Sequence, residues 1–146
     1  MRAIILAAGR GSRMKALTSD KPKCLVELHG RSLLDRQLEA LRGGGVSEIG
    51  IVTGYRRELL ANRGLVEFHN PRWAETNMVS SLECAGAWLE AGPCIVSYSD
   101  IFYSADAVRS LIDCLAPLAV ASLAAVGAVL SSVLRMQLKS PAAMMC

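Results

Sequence analysis

Glycines and cations stand close together near the start of the chain, in a pattern that could bind phosphate. Gly9 and Gly11 follow an apolar run, and Arg10 and Arg13 belong to the same stretch. Glycine has no Cβ, so its backbone can approach a phosphate and point N–H groups at it. Arginine offers a planar fork of donors, and Lys23 adds a compact charge. The pattern predicts a phosphate-binding loop, with an ordinary turn carrying solvated basic residues as the alternative.

Spacing excludes two familiar phosphate-binding loops. The chain contains no G-x-x-x-x-G-K-[ST] segment, so the loop is not a P-loop. A dinucleotide fingerprint needs a third glycine at the position that Met14 occupies here. The loop therefore belongs to another kind of phosphate site.

Residues 6–14 resemble the signature of the nucleotidyltransferases that make nucleotide sugars and related activated alcohols. That signature reads L-A-A-G-x-G-[ST]-R-[ML], with P-K-x-L further on, and this chain matches both parts, the second at residues 22–25. The resemblance implies transfer of a nucleotidyl group from a nucleoside triphosphate to a small phosphate monoester, such as a sugar phosphate or phosphocholine. Pyrophosphate would leave, and Mg²⁺ would be the cofactor.

The same resemblance assigns roles to individual residues. Arg13 would neutralise the β- and γ-phosphates, and Lys23 would reach the α-phosphate or the incoming phosphate nucleophile. The family position of Arg10 varies, and Lys21 lies outside the motif, so we expect Lys21 to be a surface residue. The residues expected to bind the nucleotide from the loop are Leu6, Ala7, Ala8, Gly9, Gly11 and Ser12.

Asp100 is the residue we expect to bind the metal. It follows a predicted strand, and a carboxylate there can hold Mg²⁺ against triphosphate oxygens. The alternative is a turn or capping aspartate. Members of the family often carry Asp-x-Asp where this chain has Tyr98-Ser99-Asp100. The family's second metal carboxylate lies in a downstream part that has no match here, and a lone carboxylate binds Mg²⁺ weakly. The sequence therefore leaves catalysis by this chain open.

A second segment suggests where the base of the nucleotide binds. The stretch from Asn70 resembles the N-P-x-[FWY]-x-x-x-N-N-x-x-S-L pattern of the subgroup that transfers cytidylyl groups to phosphocholine and similar phosphates. Met78 replaces the second asparagine of that pattern, so CTP is favoured only weakly. The alternative is that Asn77 only caps a helix and Ser81 faces solvent. The residues expected at the base are Gly54, Tyr55, Asn77 and Ser81.

Strand and helix patterns alternate along the chain and would position these residues. Apolar runs predict strands at 2–6, 48–53, 65–68 and 94–98, with a shorter strand-like segment at 25–28. Helices are predicted after Ser32, around Leu59, over 78–91 and after Ser104. Such alternation is typical of an α/β, doubly wound, mostly parallel sheet of the Rossmann-like kind. Its carboxyl edge would then bring the loop and Asp100 together.

We expect residues 1–114 to form the nucleotide-binding core and residues 115–146 an apolar, atypical tail. Residues 115–134 carry no charge, so by length they are a transmembrane candidate, although alanine, serine and a proline favour a buried or poorly ordered helix equally. Our interpretation is that the chain departs from the family here and ends early, as a shifted reading frame would produce. Membrane contact by the tail is therefore an option that we do not favour.

Composition limits the remaining classes of function. A net charge of +3 gives no reason to expect a nucleic acid partner. Five scattered cysteines without a C-x-x-C pair argue against zinc and disulfides and for a reducing, cytoplasmic location. The alternatives that stay open are a non-catalytic nucleotide-binding module and a nucleotidyltransferase of molybdenum-cofactor or isoprenoid synthesis. Oligomeric state is not predicted.

Overall fold

A four-stranded parallel sheet forms the centre of the protein. The computed structural model describes residues 1–11 and 18–115. The sheet strands are β1 (Arg2–Ala7), β4 (Glu48–Thr53), β5 (Val66–His69) and β6 (Cys94–Tyr98), arranged in the order β5-β4-β1-β6. Leu6 on β1 lies opposite Val52 on one side and Tyr98 on the other. The parallel sheet that the alternating pattern predicted is thus confirmed.

Shorter elements connect these strands. The helices are α1 (Leu33–Gly43), α2 (Met78–Glu83), α3 (Gly86–Glu90) and α4 (Ala105–Leu115), with 3₁₀ turns at Lys23–Leu25 and Arg57–Leu60. A two-stranded antiparallel hairpin, β2 (Glu27–Leu28) and β3 (Arg31–Ser32), precedes α1. The segment predicted to be strand-like at 25–28 is therefore a 3₁₀ turn followed by the first arm of this hairpin. Its turn residues His29 and Gly30 both have positive φ.

Helices cover both faces of the sheet. On one face α1 and α4 pack over β1 and β4, with Leu34, Leu41 and Val108 in a core that includes Ile5 and Ile51. On the other face α2 and α3 cover a second core; its residues include Ile4, Val52, Leu82, Ala85 and Trp88. Two apolar layers on opposite sides of one parallel sheet define the doubly wound arrangement.

Two of the predicted helix starts are confirmed, and one predicted helix is wrong in extent. Ser32 caps α1, since its side chain accepts a hydrogen bond from the Asp35 backbone N–H, and Asn77 caps α2 in the same way. The single helix predicted over 78–91 is two helices. The chain leaves helical geometry at Ala85, whose φ and ψ are −100° and 19°. Gly86 follows at once and is a weak helix former.

No helix among the described residues is both long and apolar enough to cross a membrane. Helix α4 follows Ser104, whose hydroxyl accepts from the Ala107 N–H at 3.2 Å, as the sequence predicted. The tail predicted from residue 115 lies, apart from residue 115 itself, outside the described residues.

Candidate functional site

A cleft of about 230 Å³ opens at the carboxyl edge of the sheet, beside the ends of β1 and β6. This is the edge at which open α/β sheets bind ligands. Eight of the residues predicted for the site line the cleft: Leu6, Ala8, Gly9, Gly11, Lys23, Asn77, Ser81 and Asp100. The fold therefore assembles residues from the start, middle and end of the core around one hollow.

Gly54 and Tyr55 brace one wall of the cleft instead of lining it. The Tyr55 N–H donates to the Ala8 carbonyl at 2.9 Å. A Cβ on Gly54 would lie 2.6 Å from that carbonyl and 2.5 Å from the Trp73 Cβ. Only glycine fits there. Ala7 is likewise a supporting residue, since it is buried in β1 opposite Thr53.

Aromatic side chains continue this wall. The Tyr55 and Trp73 rings meet edge to face with centroids 5.3 Å apart, and the Tyr55 hydroxyl donates to the Ser19 carbonyl at 2.6 Å. The Arg10 guanidinium lies 5.6 Å from the centre of the Tyr55 ring. Trp73 packs on this wall and also lines the cleft.

Gly11 places the glycine-rich loop against Lys23. Its φ is +71°, a left-handed conformation that glycine adopts without the cost that a Cβ brings. A Cβ at this position would lie 3.1 Å from the Cβ of Lys23. The buried Thr18 hydroxyl donates to the Gly11 carbonyl at 3.1 Å, which joins the two ends of the loop. The predicted residues Ser12 and Arg13 lie outside the described residues.

Lys23 and Asp100 form an ion pair inside the cleft, with the Lys23 Nζ 2.5 Å from the Asp100 Oδ2. Extended Pro22 leads into the 3₁₀ turn that presents Lys23, and the turn is closed by a hydrogen bond from the Leu25 N–H to the Pro22 carbonyl. Buried Cys24 anchors the turn against the core. A cation and a carboxylate, each partly exposed, are therefore available to a ligand in the same hollow.

The donors at Asp100 suit a magnesium ion that enters together with a substrate. They suit a permanently bound ion less well. Among residues 1–11 and 18–115, no group of three or more histidine, cysteine or acidic side chains could hold a metal. Mg²⁺ bound by one carboxylate keeps several waters and takes further ligands from substrate phosphates. A single aspartate beside the glycine-rich loop would provide that arrangement.

Asn70 connects residues on the α2 side of the cleft through side-chain hydrogen bonds, a role that the sequence analysis did not predict. Its side-chain amide donates to the Thr76 hydroxyl at 2.9 Å and to the Ser81 hydroxyl at 3.0 Å, and its Oδ1 accepts from the Arg72 N–H. Asn70 is 4% exposed. The available signal was the Asn70-Pro71 dipeptide, which marks a turn whose side chain can bond to nearby groups.

Asn77 and Ser81, which were both predicted to contact the base, have different roles in this network. Ser81 is buried and its hydroxyl donates to the Asn77 carbonyl at 3.2 Å, so the alternative of a solvent-facing Ser81 is wrong. The Oδ1 of Asn77 accepts from the Ser80 N–H at 3.1 Å. Within the described part of the chain, the side-chain amide nitrogen of Asn77 has no hydrogen-bond partner. Asn77 can therefore cap α2 and still offer two N–H groups to the cleft.

Gln37, a residue that sequence reasoning also missed, is buried beneath the Asp100 turn. Its Nε2 donates to the carbonyls of Tyr98, at 2.6 Å, and Ile101. The sequence signal was an amide on the apolar face of α1, between Leu34 and Leu41. Such a position is unusual for glutamine, which is mostly exposed in proteins.

Burial keeps nearby titratable groups neutral. Removal from water raises the pKa of the Cys24 thiol to about 12, although the Arg63 charge acts in the opposite direction. Burial also raises the pKa of Tyr103, whose hydroxyl donates to Ser97 at 3.1 Å. Lys23 and Asp100 are the charged side chains among the described residues that line the cleft.

The protein is thus an open α/β protein that carries a glycine-rich loop, a lysine and an aspartate at the carboxyl edge of its parallel sheet. A family model described as a MobA-like NTP transferase domain matches residues 3–136. The chain belongs to this family, and the predicted resemblance to nucleotidyltransferases is confirmed. The matched range passes residue 114, so similarity to the family continues into residues for which the sequence predicted an atypical tail.

The similar proteins include several cytidylyltransferases. The CTP:phosphoglutamine cytidylyltransferase of Campylobacter jejuni is 41% identical over 130 residues, covering 82% of this chain and 51% of the relative. The 2-aminoethylphosphonate cytidylyltransferase of Lancefieldella rimae is 36% identical and covers 70% of this chain and 44% of the relative. This chain thus spans about half the length of these relatives or less.

A solved structure agrees with these relatives. The CTP:phosphocholine cytidylyltransferase of Streptococcus pneumoniae superposes with a TM-score of 0.63 at 30% identity, covering 72% of this chain and 49% of that one. The similar proteins are nucleotidyltransferases, so the chain comes from a family of enzymes.

Proposed function

We propose that the cleft binds CTP and that the chain takes part in transferring its cytidylyl group to a small phosphate-bearing acceptor, with release of pyrophosphate. The observation that carries the proposal is the meeting of Gly9, Gly11, Lys23 and Asp100 in one hollow at the carboxyl edge of β1 and β6. The cytidylyltransferase relatives support the choice of nucleotide.

The residues would act by position and charge, not by forming a covalent bond to the substrate. Backbone N–H groups of the glycine-rich loop would bind phosphate oxygens, and Arg13 would neutralise the β- and γ-phosphates. Lys23 would stabilise the charge that builds on the α-phosphate as the acceptor attacks. Asp100 would hold a magnesium ion, which would neutralise part of the charge on the triphosphate.

The proposed function explains how the Lys23–Asp100 ion pair would take part in ligand binding. The two charges meet each other at 2.5 Å. A triphosphate with its magnesium ion offers an anion to Lys23 and a cation to Asp100, so both groups exchange one charged partner for another. The exchange makes binding depend on the metal, because a bare triphosphate would face an unpaired carboxylate.

Base recognition would use the wall between Trp73 and α2. Cytosine presents acceptors on its ring, and the amide N–H groups of Asn77 are the unpaired donors described on that wall. Tyr55 and Gly54 would act indirectly, because they support Trp73 and Ala8 instead of lining the cleft. Ser81 would likewise act through Asn70.

The acceptor is proposed by class only. The relatives are named for phosphoglutamine and 2-aminoethylphosphonate, and the solved structure for phosphocholine. We propose a small, nitrogen-containing phosphate or phosphonate, and, from the cysteine pattern, a cytoplasmic location.

Nucleotide binding tests the proposal most directly. Calorimetry with CTP, UTP, ATP and GTP, each with and without Mg²⁺, should show saturable binding that is tightest for CTP with Mg²⁺. Exchange of labelled pyrophosphate into the same nucleotides then tests catalysis without an acceptor. Absence of binding to all four nucleotides overturns the proposal, and preference for GTP would point to a guanylyltransferase instead.

A second candidate, a non-catalytic nucleotide-binding module, is favoured by one observation. The described cleft provides a single carboxylate for a metal. Magnesium-dependent CTP binding without pyrophosphate exchange would support this candidate.

A further inference from the structure

We propose that Gln37 is a positioning residue that holds the Asp100 turn so that the carboxylate faces Lys23 and the cleft. This inference rests on the proposed function for its consequences in nucleotide binding, whereas the positioning itself concerns this chain alone. The observation behind it is a buried side-chain amide that bonds to both flanks of a turn carrying a site residue.

The first step is the location of the two hydrogen bonds. The Nε2 of Gln37 donates to the Tyr98 carbonyl, which closes β6, and to the Ile101 carbonyl, which lies just beyond Asp100. A carbonyl can only accept a hydrogen bond, so the Gln37 nitrogen, and not its oxygen, must face these two carbonyls. The partners thus determine the orientation of the side-chain amide. Both N–H groups of the amide are thereby used on the backbone that surrounds Ser99 and Asp100.

The second step is that the turn has little other support of this kind. Outside the sheet, no backbone–backbone hydrogen bond described for this chain involves residues 99–103. The Ser97 hydroxyl adds a bond to the Tyr98 carbonyl at 3.2 Å, but this bond stops short of Asp100. The Tyr103 hydroxyl, which donates to Ser97 at 3.1 Å, holds the chain three residues beyond Asp100. Of the described side chains, Gln37 is the one that bonds to the backbone on both sides of Asp100.

The third step is the environment of Gln37 itself. The residue is 0% exposed, and its Oε1 is buried without a hydrogen-bond partner among the described residues. An unsatisfied buried oxygen is destabilising, and an apolar side chain of similar size would avoid that cost. The role of this amide therefore lies in its nitrogen, which donates to two carbonyls that an apolar side chain would leave without this partner.

The fourth step links the two charged groups through one helix. Helix α1 carries Gln37, and it also packs against the 3₁₀ turn that presents Lys23. The Leu33 N–H at the start of α1 donates to the Val26 carbonyl at 3.1 Å, just after that turn. Helix α1 is therefore a common support for Lys23 and Asp100, which approach each other across the cleft.

The test begins with a measurement that needs no nucleotide. Limiting reductive methylation, followed by peptide mass spectrometry, reports how readily the Lys23 amine reacts. Gln37→Met should raise the labelling rate of Lys23 a few-fold, to the level of Asp100→Asn, because both variants release Lys23 from its carboxylate. Lys21, outside the cleft lining, serves as the internal reference and should not change. An unchanged Lys23 rate in a folded Gln37→Met protein overturns the proposal.

Nucleotide binding then tests the consequence. Gln37→Met should reduce the magnesium-dependent gain in CTP affinity about tenfold, because the two hydrogen bonds that position Asp100 would be lost. Affinity without metal should stay near that of the unmodified protein. In an Asp100→Asn background the same substitution should have no further effect. Equal losses with and without metal would assign Gln37 a purely structural role and contradict the proposal.

Two further variants separate positioning from folding. Leu38→Ala removes a buried neighbour on α1 and should lower stability while leaving Lys23 labelling and the metal dependence unchanged. Gln37→Glu keeps the size of the side chain but loses the amide donors, and it serves if Gln37→Met does not fold. Failure of the unmodified protein to bind any nucleotide would overturn the proposed function, while the labelling experiment would still decide the role of Gln37.

Discussion

The Lys23 ammonium lies 2.5 Å from the Asp100 carboxylate, although 77 positions separate the two residues in the chain. The contact forms because the 3₁₀ turn after β1 and the turn after β6 leave the sheet at the same edge. A polyanionic ligand and a metal ion would each find their opposite charge here. Under the proposed function, the pair would open to accept a triphosphate at Lys23 and its metal ion at Asp100.

Loss of the lysine charge should weaken binding more than loss of a nearby lysine outside the cleft. We expect Lys23→Ala to reduce triphosphate affinity about tenfold or more, because a charge-assisted contact disappears and Asp100 is left facing the phosphates. Lys21→Ala is the matched control and should have little effect. Arg13→Ala is predicted from the motif to act in the same direction as Lys23→Ala. Titration calorimetry measures all three, and equal affinities for Lys23→Ala and Lys21→Ala would count against the site.

Gly9 and Gly11 should respond differently to a methyl group. Gly11→Ala should lower the free energy of unfolding by about 1–2 kcal/mol, because a residue with a Cβ is strained at positive φ and the new carbon presses on Lys23. Among the described residues, a Cβ on Gly9 would meet no atom within 4 Å, so Gly9→Ala should leave stability nearly unchanged. It should still weaken triphosphate binding, since the carbon would occupy space proposed for phosphate.

Thermal unfolding and calorimetry on the same samples separate these two effects. Gly86→Ala is the control for an added methyl group away from the cleft, because a Cβ there also meets nothing within 4 Å. A Gly9→Ala protein that binds triphosphate as tightly as the unmodified chain would contradict the assignment of the loop.

Asn77→Asp should change base preference without unfolding α2. Aspartate caps helices as well as asparagine does, so the free energy of unfolding should stay within about 0.5 kcal/mol. The substitution removes the amide donors, and the ratio of CTP to UTP affinity should therefore fall about fivefold. Using a ratio cancels the general repulsion between the new charge and any triphosphate. An unchanged ratio would limit Asn77 to capping.

Alkaline pH should destabilise the protein through its buried thiol. The pKa of Cys24 is about 12 in the folded chain, against an ordinary value of 9.0, because burial disfavours the thiolate. Above pH 9 the unfolded chain releases this proton and the folded chain keeps it, so the free energy of unfolding falls as pH rises. Denaturant titrations between pH 8 and pH 11 should show a shallower decline for Cys24→Ala. The exposed Cys84→Ala control should keep the original slope.

The sequence was sufficient for the sheet and for much of the cleft lining. Apolar runs ending in glycine or aspartate predicted the strands, the carboxyl-edge rule placed the glycine-rich loop and Asp100 together, and the family resemblance added Lys23. Local sequence patterns were less informative for side chains whose partners are distant in the sequence. The periodicity of Val79, Leu82, Ala85 and Leu89 continues across the break between α2 and α3, so it could not reveal the interruption.

Partners distant in sequence explain the other differences between prediction and structure. Ser81 is buried because Asn70 donates to it, and no short-range pattern encodes that contact. Gln37 bonds to carbonyls 61 and 64 positions away, so its purpose is visible only after folding. Spacing rules describe residues on one element, whereas these contacts depend on how separate elements meet.

Gly54 has a consequence for how the cleft can change shape. The Ala8 carbonyl and the Trp73 side chain approach it so closely that no side chain separates the two segments. With the Tyr55 N–H bonded to Ala8 as well, the end of β1 and the wall formed by Tyr55 and Trp73 are held together. A side chain at position 54 would have to push these segments apart, so it would disturb the cleft although Gly54 does not line it.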